Sequence, residues 1–305
     1  MLMEINLIDS FEGLFSPSKR IYWQYVLSSV FIAWIYFLTL DKKTLKKEMT
    51  INLSYKLWLH KSAVLDYKYF VVSFFIKTLL ILPIVFSVQE ISLFVYELLL
   101  DNYGYVRISF LSYSEVMMFF TFTLFLVSDF TRYWLHRWLH TFPLLWKFHK
   151  VHHSAKVLTP ITFYRIHPIE NLLFGFRYAL SIGIVTGIFI YLFGAMIGIY
   201  EIIGTNIFLY IFSLIGSNLR HSHVKVSYPK KMEYIFISPF QHQLHHSTKY
   251  YNKNFGGYLS IWDNIFGTLK ISKDVLQRKE KIHFGVDRDN FDTILKLIYM
   301  PFIQK

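Results

Sequence analysis

The chain has 305 residues, of which 54% are hydrophobic and only 17% are charged. Soluble domains contain about 25% charged residues, so this composition indicates a membrane protein. The net charge of +12 does not favour a nucleic-acid partner, because the basic residues lie beside apolar segments instead of forming one patch with exposed aromatic side chains. The chain contains no cysteine, which excludes disulfide bonds and thiolate metal ligands.

Five apolar segments are long enough to cross or enter a bilayer, for which about 20 residues are needed. In chain order they are residues 22–40, 69–88, 116–135, 174–193 and 195–216. The second contains Lys77, the fourth Arg177 and the fifth Glu201, and charged residues are costly inside a bilayer. We therefore predict an all-α integral membrane protein, a helical bundle with four to five spans.

The basic residues of the loops predict how the bundle is oriented. Residues 41–68, 131–171 and the region after residue 216 are rich in lysine and arginine, whereas residues 89–112 contain Arg107 as their one basic residue. Cytoplasmic loops carry an excess of these residues, so we expect the three basic regions on the cytoplasmic side. Segments 131–171 and 217–305 then lie on one membrane face. No repeat or flexible linker divides the chain, which we interpret as one folding unit.

Histidines are concentrated in these same two segments. Eleven of the thirteen lie between His136 and His246. On a helix, positions i, i+3 and i+4 share a face, so each cluster can direct several imidazoles to one side. Imidazole binds iron, copper and zinc, and the number of candidates exceeds the four ligands of one tetrahedral zinc. The pattern therefore predicts two metal ions. The clusters are His136 with His140, His149 with His152 and His153, His221 with His223, and His242 with His245 and His246.

Several single residues near the clusters have two interpretations each. His167 is either a further ligand or a turn residue before Pro168. Asp129 lies two helical turns before His136, so it either accepts the outer N–H of a ligating histidine or pairs with Arg132. Glu170 is either a similar outer partner or an acidic residue that complements a helix N-terminus. Asn218 is a weaker candidate outer partner. His60 and His283, which stand alone, are interpreted as core or interfacial residues.

The ordered motifs resemble the fatty acid hydroxylase/sterol desaturase superfamily, whose members are membrane-bound, histidine-rich di-iron oxygenases. The resemblance covers about residues 116–270, and the order and spacing of its motifs make it specific. The motifs are SDFTRYWLHRWLH (128–140), WKFHKVHHS (146–154), RIHPIE (165–170), NLRHSH (218–223), QHQLHHS (241–247) and NFGGYLSIWDNIFGT (254–268). Many members carry an extra histidine where this chain has Gln241.

The resemblance implies a set of ligands and a domain arrangement. It implies a cytoplasmic, histidine-rich helical cap above the membrane bundle. Residues 1–110 would form an N-terminal membrane region with two spans, residues 111–270 the catalytic domain and residues 271–305 a cytoplasmic C-terminal tail. The implied metal ligands are His136, His140, His149, His152, His153, His221, His242, His245 and His246, with His167 and His223 as further candidates.

The resemblance also implies two iron ions as cofactors and O₂ as co-substrate. A lipid C–H bond gives acid–base or nucleophilic side chains nothing to attack, so the cofactor must perform that chemistry. The chain lacks a glycine-rich dinucleotide motif and a cysteine for an iron–sulfur cluster. We therefore expect a separate electron-transfer protein that docks on the basic cytoplasmic face. The expected substrate is a fatty acyl, alkyl-glycerol or sterol-like lipid.

The resemblance favours hydroxylation, and desaturation by the same family is the first alternative. Two other classes stay open: a zinc-dependent membrane hydrolase, and a non-catalytic membrane protein that binds metal or lipid. The hydrolase would need a carboxylate as general base, and Glu170 is the one natural candidate. The compartment follows from the source organism: a bacterial inner membrane, which we favour, or the endoplasmic reticulum of a eukaryotic cell.

Overall fold

The computed structural model of the protein describes residues 15–85, 87–194, 198, 201–202, 205–286 and 291–303. The described residues are mainly helical, which confirms the predicted all-α class; the paired strands among them are β1 (Glu201–Ile202) and β2 (Thr205–Asn206). The α-helices are α1 (Trp23–Leu38), α2 (Lys42–Asn52), α3 (Tyr55–Trp58), α4 (Lys61–Ile76), α5 (Val88–Tyr103), α6 (Tyr113–Thr141), α7 (Pro143–His153), α8 (Pro168–Phe193), α9 (Ile207–Leu214), α10 (Pro239–His245), α11 (Ile261–Ile265), α12 (Ser272–Gln277) and α13 (Ile294–Ile303). Short connecting segments are the π-helical Lys77–Ile81 and the 3₁₀-helices Pro160–Tyr164, Ser217–His221 and Met232–Tyr234.

Helices α6 and α8 are the two described helices that are long and apolar enough to cross a bilayer. They have 29 and 26 residues, which correspond to about 40 Å of helix at 1.5 Å per residue. Their buried side chains pack against one another, Phe120 and Leu124 of α6 against Val185 and Phe189 of α8. The C-terminal end of α6 and the N-terminal end of α8 both meet the segments that carry the histidine clusters.

Glycines on α8 allow helix α5 to pack closely on the same pair. A Cβ atom at Gly183 would lie 2.6 Å from Ile91 side-chain atoms, and one at Gly187 would lie 2.6 Å from the carbonyl oxygen of Ser92. Both distances are shorter than a van der Waals contact, so these positions require glycine. The close packing buries the α5 face that contains Ser92.

The other predicted spans do not form long continuous helices in the described part of the chain. The predicted span 22–40 is the 16-residue helix α1. The span 69–88 is interrupted, because α4 ends at Ile76 and a π-helical segment leads to Pro83, which cannot continue an α-helix. The span 195–216 contains the β1–β2 pair and the eight-residue helix α9, while its residues 195–197, 199–200 and 203–204 lie outside the described residues.

The C-terminal region packs onto the body of the protein. Val275 of α12 is buried with Phe240 and Leu244 of α10, and Leu297 of α13 is buried with Val151 of α7. These contacts place residues of the predicted tail against the helices that carry two of the histidine clusters. The division of the chain into the predicted domains stays a prediction.

Candidate metal centre

The local structure explains how four chain segments bring their histidines together. Helix α7 begins at Pro143, two residues after α6 ends, because proline is well suited to the first position of a helix. This sharp corner places the ring of His140 4.7 Å from the ring of His149. Helix α10 begins with a capping box, in which the side chains of Ser238 and Gln241 satisfy each other's backbone N–H groups. The remaining histidine, His221, ends a 3₁₀-helix.

Nine histidines converge as two groups, and within each group the potential ligand atoms lie within 4.8 Å of one another. They are the same nine that the sequence analysis gave as implied ligands. Group A contains His136, His140, His149, His153 and His245, and group B contains His152, His221, His242 and His246. The groups are adjacent, since the stacked rings of His153 and His246 have centroids 4.6 Å apart.

Each HxxHH cluster divides between the two groups. His149 and His153, which are four residues apart, belong to group A, whereas His152 belongs to group B. His242 and His246 belong to group B, whereas His245 belongs to group A. The i, i+4 pair of each helix therefore faces one group, and the residue at i+3 faces the other. A pair of short helices thereby supplies ligands to two neighbouring positions.

Oxygen atoms outside the groups hold the outer nitrogens of four histidines. The Nδ1 atom of His149 lies 2.9 Å from Oε1 of Glu170, as the interpretation of Glu170 as an outer partner predicts. Backbone carbonyl oxygens take the same role for three other histidines. The Nδ1 atom of His136 lies 2.8 Å from the carbonyl oxygen of Phe255. The Nδ1 atom of His152 lies 3.2 Å from that of Arg165, and the Nδ1 atom of His245 lies 2.8 Å from that of Lys253. An oxygen acceptor requires Nδ1 to carry the proton, so the Nε2 lone pair points into the group.

Several inward nitrogens have no hydrogen-bond partner although they are buried. Among the described residues these include Nε2 of His149, Nε2 of His245 and both ring nitrogens of His140 and His153. Leaving such groups unpaired is costly, about 1–3 kcal/mol each. A bound metal ion would satisfy the inward nitrogens. Two groups of five and four imidazoles therefore fit two divalent ions of the kind that nitrogen ligands prefer.

The group B histidines and the histidines of α7 and α10 are held in the neutral form. Burial, followed by the charge of neighbouring groups, lowers the pKa of His153 and His246 well below 6.5. Burial likewise lowers the pKa of His152 to about 3. The pKa of each remaining member is also well below 6.5, with burial as the main cause: His149, His221, His242 and His245. Neutral imidazole has the free lone pair that metal binding needs.

Residues 121–268 match the sequence profile of the fatty acid hydroxylase family. This segment belongs to the fatty acid hydroxylase family. The match contains all nine histidines of groups A and B, and it confirms the resemblance found in the motifs.

Similar curated proteins include both hydroxylases and a desaturase. The chain is 34% identical over 144 residues to ornithine lipid hydroxylase OlsE of Rhizobium tropici, covering 47% of this chain and 39% of that protein. It is 28% identical over 168 residues to the Delta(7)-sterol 5(6)-desaturase of Eremothecium gossypii, with 55% and 39% covered. It is 27% identical over 164 residues to human alkylglycerol monooxygenase, with 53% and 32% covered. The chain thus spans about two fifths or less of these relatives, and no solved structure gives a significant match.

In this family member, the motif at residues 254–268 forms a loop that closes over group A. Asp129 accepts hydrogen bonds from the backbone of Tyr258 and Leu259, at 2.8 and 3.0 Å, and from the indole of Trp262 at 3.0 Å. The outer nitrogen of His136 bonds instead to the carbonyl of Phe255. Neither interpretation of Asp129 describes these contacts, because its carboxylate bonds to the loop and not to a histidine or, among the described residues, in an ion pair with Arg132. Asp129 thus holds the loop whose Phe255 carbonyl contacts His136.

Asp263 and two glycines complete this loop. Asp263 accepts from the backbone N–H groups of Phe255 and Gly256, both at 2.8 Å, and from the Thr268 hydroxyl at 2.6 Å. A Cβ atom at Gly256 would lie 2.3 Å from the carbonyl oxygen of Leu259, so only glycine fits there. Sequence reasoning did not single out Asp263. Its position within the Trp-Asp part of the motif was the available signal.

Other predicted residues lie outside both groups. His167 caps helix α8, because its Nδ1 accepts from the backbone of Ile169 at 3.1 Å while Nε2 lies 2.8 Å from the carbonyl oxygen of Ile298. Nε2 of His223 accepts from the backbone N–H of Leu158 at 3.2 Å. Both side chains are thus used in local structure. The buried amide of Asn218 has no hydrogen-bond partner among the described residues.

Gln241 shows why the missing tenth histidine leaves the two groups intact. Its side chain forms the capping box of α10 and also donates to the carbonyl oxygens of Glu233 and Lys270, at 3.2 and 3.3 Å. The side chain is fully buried and is not a member of either group. In this chain, position 241 stabilises the start of the helix that carries His242, His245 and His246.

Proposed function

We propose that this chain is a membrane oxidoreductase that holds two iron ions through groups A and B and hydroxylates a lipid C–H bond with O₂ and two external electrons. The observation that carries the proposal is the division of nine histidines, seven of them buried and two half-buried, into two adjacent groups of five and four. Membership of residues 121–268 in a family named for fatty acid hydroxylation supports it. The two hydroxylating relatives point in the same direction.

Iron bound at the two groups would supply the activation of O₂ that breaking an unactivated C–H bond requires. The protein's own residues have three tasks. The inward imidazoles bind the ions, while Glu170 and the carbonyls of Arg165, Lys253 and Phe255 fix the orientation of four rings. Burial of most of the rings would keep bulk water away from the reacting atoms, which prevents side reactions.

A buried network ties one of these outer carbonyls to the membrane region. Arg165 forms an ion pair with Asp66 of α4 and donates to the carbonyl oxygen of Ser62 at 2.8 Å. The same arginine presents its own carbonyl to His152. Both Arg165 and Asp66 are almost fully buried. This network would hold group B at a fixed height relative to the apolar helices.

The proposed placement puts four to five segments in the bilayer and the histidines on the cytoplasmic face, in the inner membrane of a bacterium or the endoplasmic reticulum of a eukaryote. Helices α6 and α8 would cross completely. Helix α1 is apolar and exposes large side chains such as Leu27, Phe31 and Trp34, which suits contact with lipid. A separate electron-transfer protein would dock on the basic cytoplasmic surface.

The similarity to a sterol desaturase makes desaturation the second candidate function. The two reactions share iron, O₂ and electrons, and they differ in whether the lipid gains oxygen or loses two hydrogen atoms. A zinc hydrolase is less favoured, because Glu170, its natural general base, is bound to His149.

Product mass under ¹⁸O₂ tests the proposal directly. Membranes that contain the overproduced chain, a reducing system and O₂ are extracted, and their lipids are compared with those from a His245→Ala variant. We expect a lipid that gains one ¹⁸O atom with the wild-type chain and not with the variant. A loss of two hydrogens would replace hydroxylation by desaturation. Unchanged lipids, despite two bound iron ions and a working reductant, would overturn the proposal.

A further inference from the structure

A small cavity beside the two groups is lined by three arginines. Arg20, Arg132 and Arg220 share this cavity with histidines of both groups. These are His136 and His149 of group A and His152, His221 and His242 of group B. Its volume is about 50 Å³. A water molecule needs roughly 10–15 Å³ of such space, so the cavity accepts a group of a few atoms and not a lipid chain.

The three arginines come from separate parts of the chain. Arg20 precedes α1 and stacks over Phe163 at 4.4 Å, Arg132 belongs to α6, and Arg220 lies in the 3₁₀-helix next to His221. A Cβ atom at Gly257 would lie 2.8 Å from Cδ of Arg132. The second glycine of the loop motif therefore leaves the space that Arg132 occupies at the cavity.

None of the three guanidinium groups forms an ion pair with a carboxylate in the described part of the chain, although the charges of Asp129 and Glu170 act on Arg132 from nearby. Arg20 donates to the carbonyl oxygen of Ser217, and Arg220 to that of Gly257. Arg132 packs over the rings of Phe174 and Tyr258 and has no hydrogen-bond or ion-pair partner in the described part of the chain. Nε of Arg220 is buried without a partner as well.

Glu170 is the one carboxylate in the lining, and it is bound to His149. Asp129 lies behind the lining residue Gly257, and its charge acts on Arg132 and Arg220. Three cationic side chains against these two anionic ones still leave a net positive charge at the cavity. Burial is the main cause that lowers the pKa of Arg20 to about 9, and the charges of Arg220 and Arg132 lower it further. Bringing like charges together in a site shielded from water is costly. An anion bound among them would offset that cost.

We propose that this cavity binds an oxyanion of the lipid substrate, a carboxylate or a phosphate, and so selects anionic lipids and positions them beside groups A and B. The inference rests on the proposed function, since it names the class of lipid that the same site takes. Guanidinium groups suit this task because their planar N–H donors match the geometry of carboxylate and phosphate.

Equilibrium binding of matched lipids tests this inference without turnover. The full chain is purified in a neutral detergent, and binding is measured anaerobically without reductant, in the iron-loaded and metal-free forms. The probes are hexadecanoate, hexadecyl phosphate and the neutral hexadecanamide, with acetate and inorganic phosphate as competitors. Charged hydrogen bonds to two or more arginines should favour one of the two anionic lipids over the amide by at least about tenfold.

Arg132→Gln is the sharpest variant, because Arg132 forms no hydrogen bond in the described part of the chain and lines the cavity. We expect it to reduce the preference for the anionic lipid to less than about threefold, whereas Arg132→Lys keeps the charge and most of the preference. Arg137→Gln is the matched control: it removes one positive charge from the same helix, but Arg137 contacts Tyr133 and Phe266 outside the cavity.

The inference is overturned by equal binding of the amide and both anionic lipids to the wild-type chain. It is equally overturned if the preference persists in both Arg132→Gln and Arg20→Gln, or if inorganic phosphate or acetate displaces the lipid as effectively as hexadecanoate does. The oxygenase proposal fails separately, through the absence of ¹⁸O in the product. A failure of either claim therefore leaves the other open to its own test.

Discussion

Groups A and B are neighbours of similar composition, but their surroundings differ. Outer oxygen acceptors orient three of the five histidines of group A, namely His136, His149 and His245. In group B such an acceptor orients His152, while Nδ1 of both His221 and His242 has no hydrogen-bond partner among the described residues. The difference indicates that group A has the more rigid geometry and that group B can adjust.

The cavity lies mainly against the more adjustable group. Three of the four group B histidines line it, namely His152, His221 and His242, against two of the five in group A, His136 and His149. A site that must accept both a metal ion and a lipid benefits from ligands that can shift. We therefore expect group A to hold its metal more tightly and group B to respond to the substrate.

Loss of one ligand from either group should abolish activity. His153→Ala in group A and His246→Ala in group B are the sharpest pair, since their rings are adjacent at 4.6 Å. We expect each variant to reduce ¹⁸O incorporation by at least roughly 100-fold, because even loss of an outer partner costs about 10–100-fold. His283→Ala, which changes an exposed histidine outside both groups, serves as the control. Activity above about a tenth of the wild type in either variant would show that the two groups do not act together.

Removal of the outer partner Glu170 should weaken group A selectively. Its carboxylate orients His149 through a 2.9 Å contact, so Glu170→Leu should lower the affinity of group A for iron by about 10–100-fold. Glu170→Gln retains an oxygen acceptor and should retain most of the affinity. Iron release during a chelator challenge measures both. In the wild type, the iron in group B should leave faster than the iron in group A, and Glu170→Leu should remove this difference in rate. If the release from Glu170→Leu is biphasic with unchanged rates, group A does not owe its tighter binding to Glu170.

Replacement of Asp129 should destabilise the loop that supports group A. Asp129→Asn keeps the shape but replaces one acceptor oxygen by a donor, which leaves a buried N–H of Tyr258, Leu259 or Trp262 unpaired. The expected loss in the free energy of unfolding is about 1–3 kcal/mol, measured by thermal unfolding in detergent. The half-exposed Asp274 offers a control in Asp274→Asn. Equal unfolding temperatures for both variants would show that the loop does not depend on Asp129.

A histidine at position 241 should leave the metal content unchanged. Gln241 caps α10 and lies outside both groups, so Gln241→His should bind the same number of iron ions as the wild type. The loss of the cap should cost about 0.5–2 kcal/mol of stability. Elemental analysis and thermal unfolding measure the two effects. A third equivalent of iron, or a much tighter second one, would show that this position can reach the centre.

Much of the site could be predicted from the sequence, because side-chain identity and helical spacing determine which histidines can face the same point. The spacing of the HxxxH cluster (136–140) and the two HxxHH clusters (149–153 and 242–246) singles out eight of the nine histidines that the structure brings together, and the family resemblance adds His221. Their division into two groups could not be predicted, since i+3 and i+4 share a helix face and only the tertiary arrangement decides which neighbour each ring meets. Metal binding by these residues remains a prediction.

The outer partners of the histidines and the arginine cavity could not be predicted, because they are formed by backbone atoms and by segments that are distant in sequence. The carbonyl groups that orient His136, His152 and His245 belong to any residue type, so no side-chain pattern reveals them. The cavity joins Arg20 and Arg220, which are 200 residues apart in sequence. The predicted helical class was right. The predicted span 69–88 contains Pro83, which cannot continue an α-helix, and the structure interrupts this span after Ile76.

Metal identity and stoichiometry provide the most direct test of the central claim. The full chain is produced in iron-supplemented cells, purified in detergent and analysed for metals beside a His152→Ala/His245→Ala double variant, which removes one ligand from each group. The account predicts about two iron atoms per wild-type chain and none above background in the variant. A wild-type chain with no more metal than the variant would contradict the assignment of groups A and B as a two-metal centre.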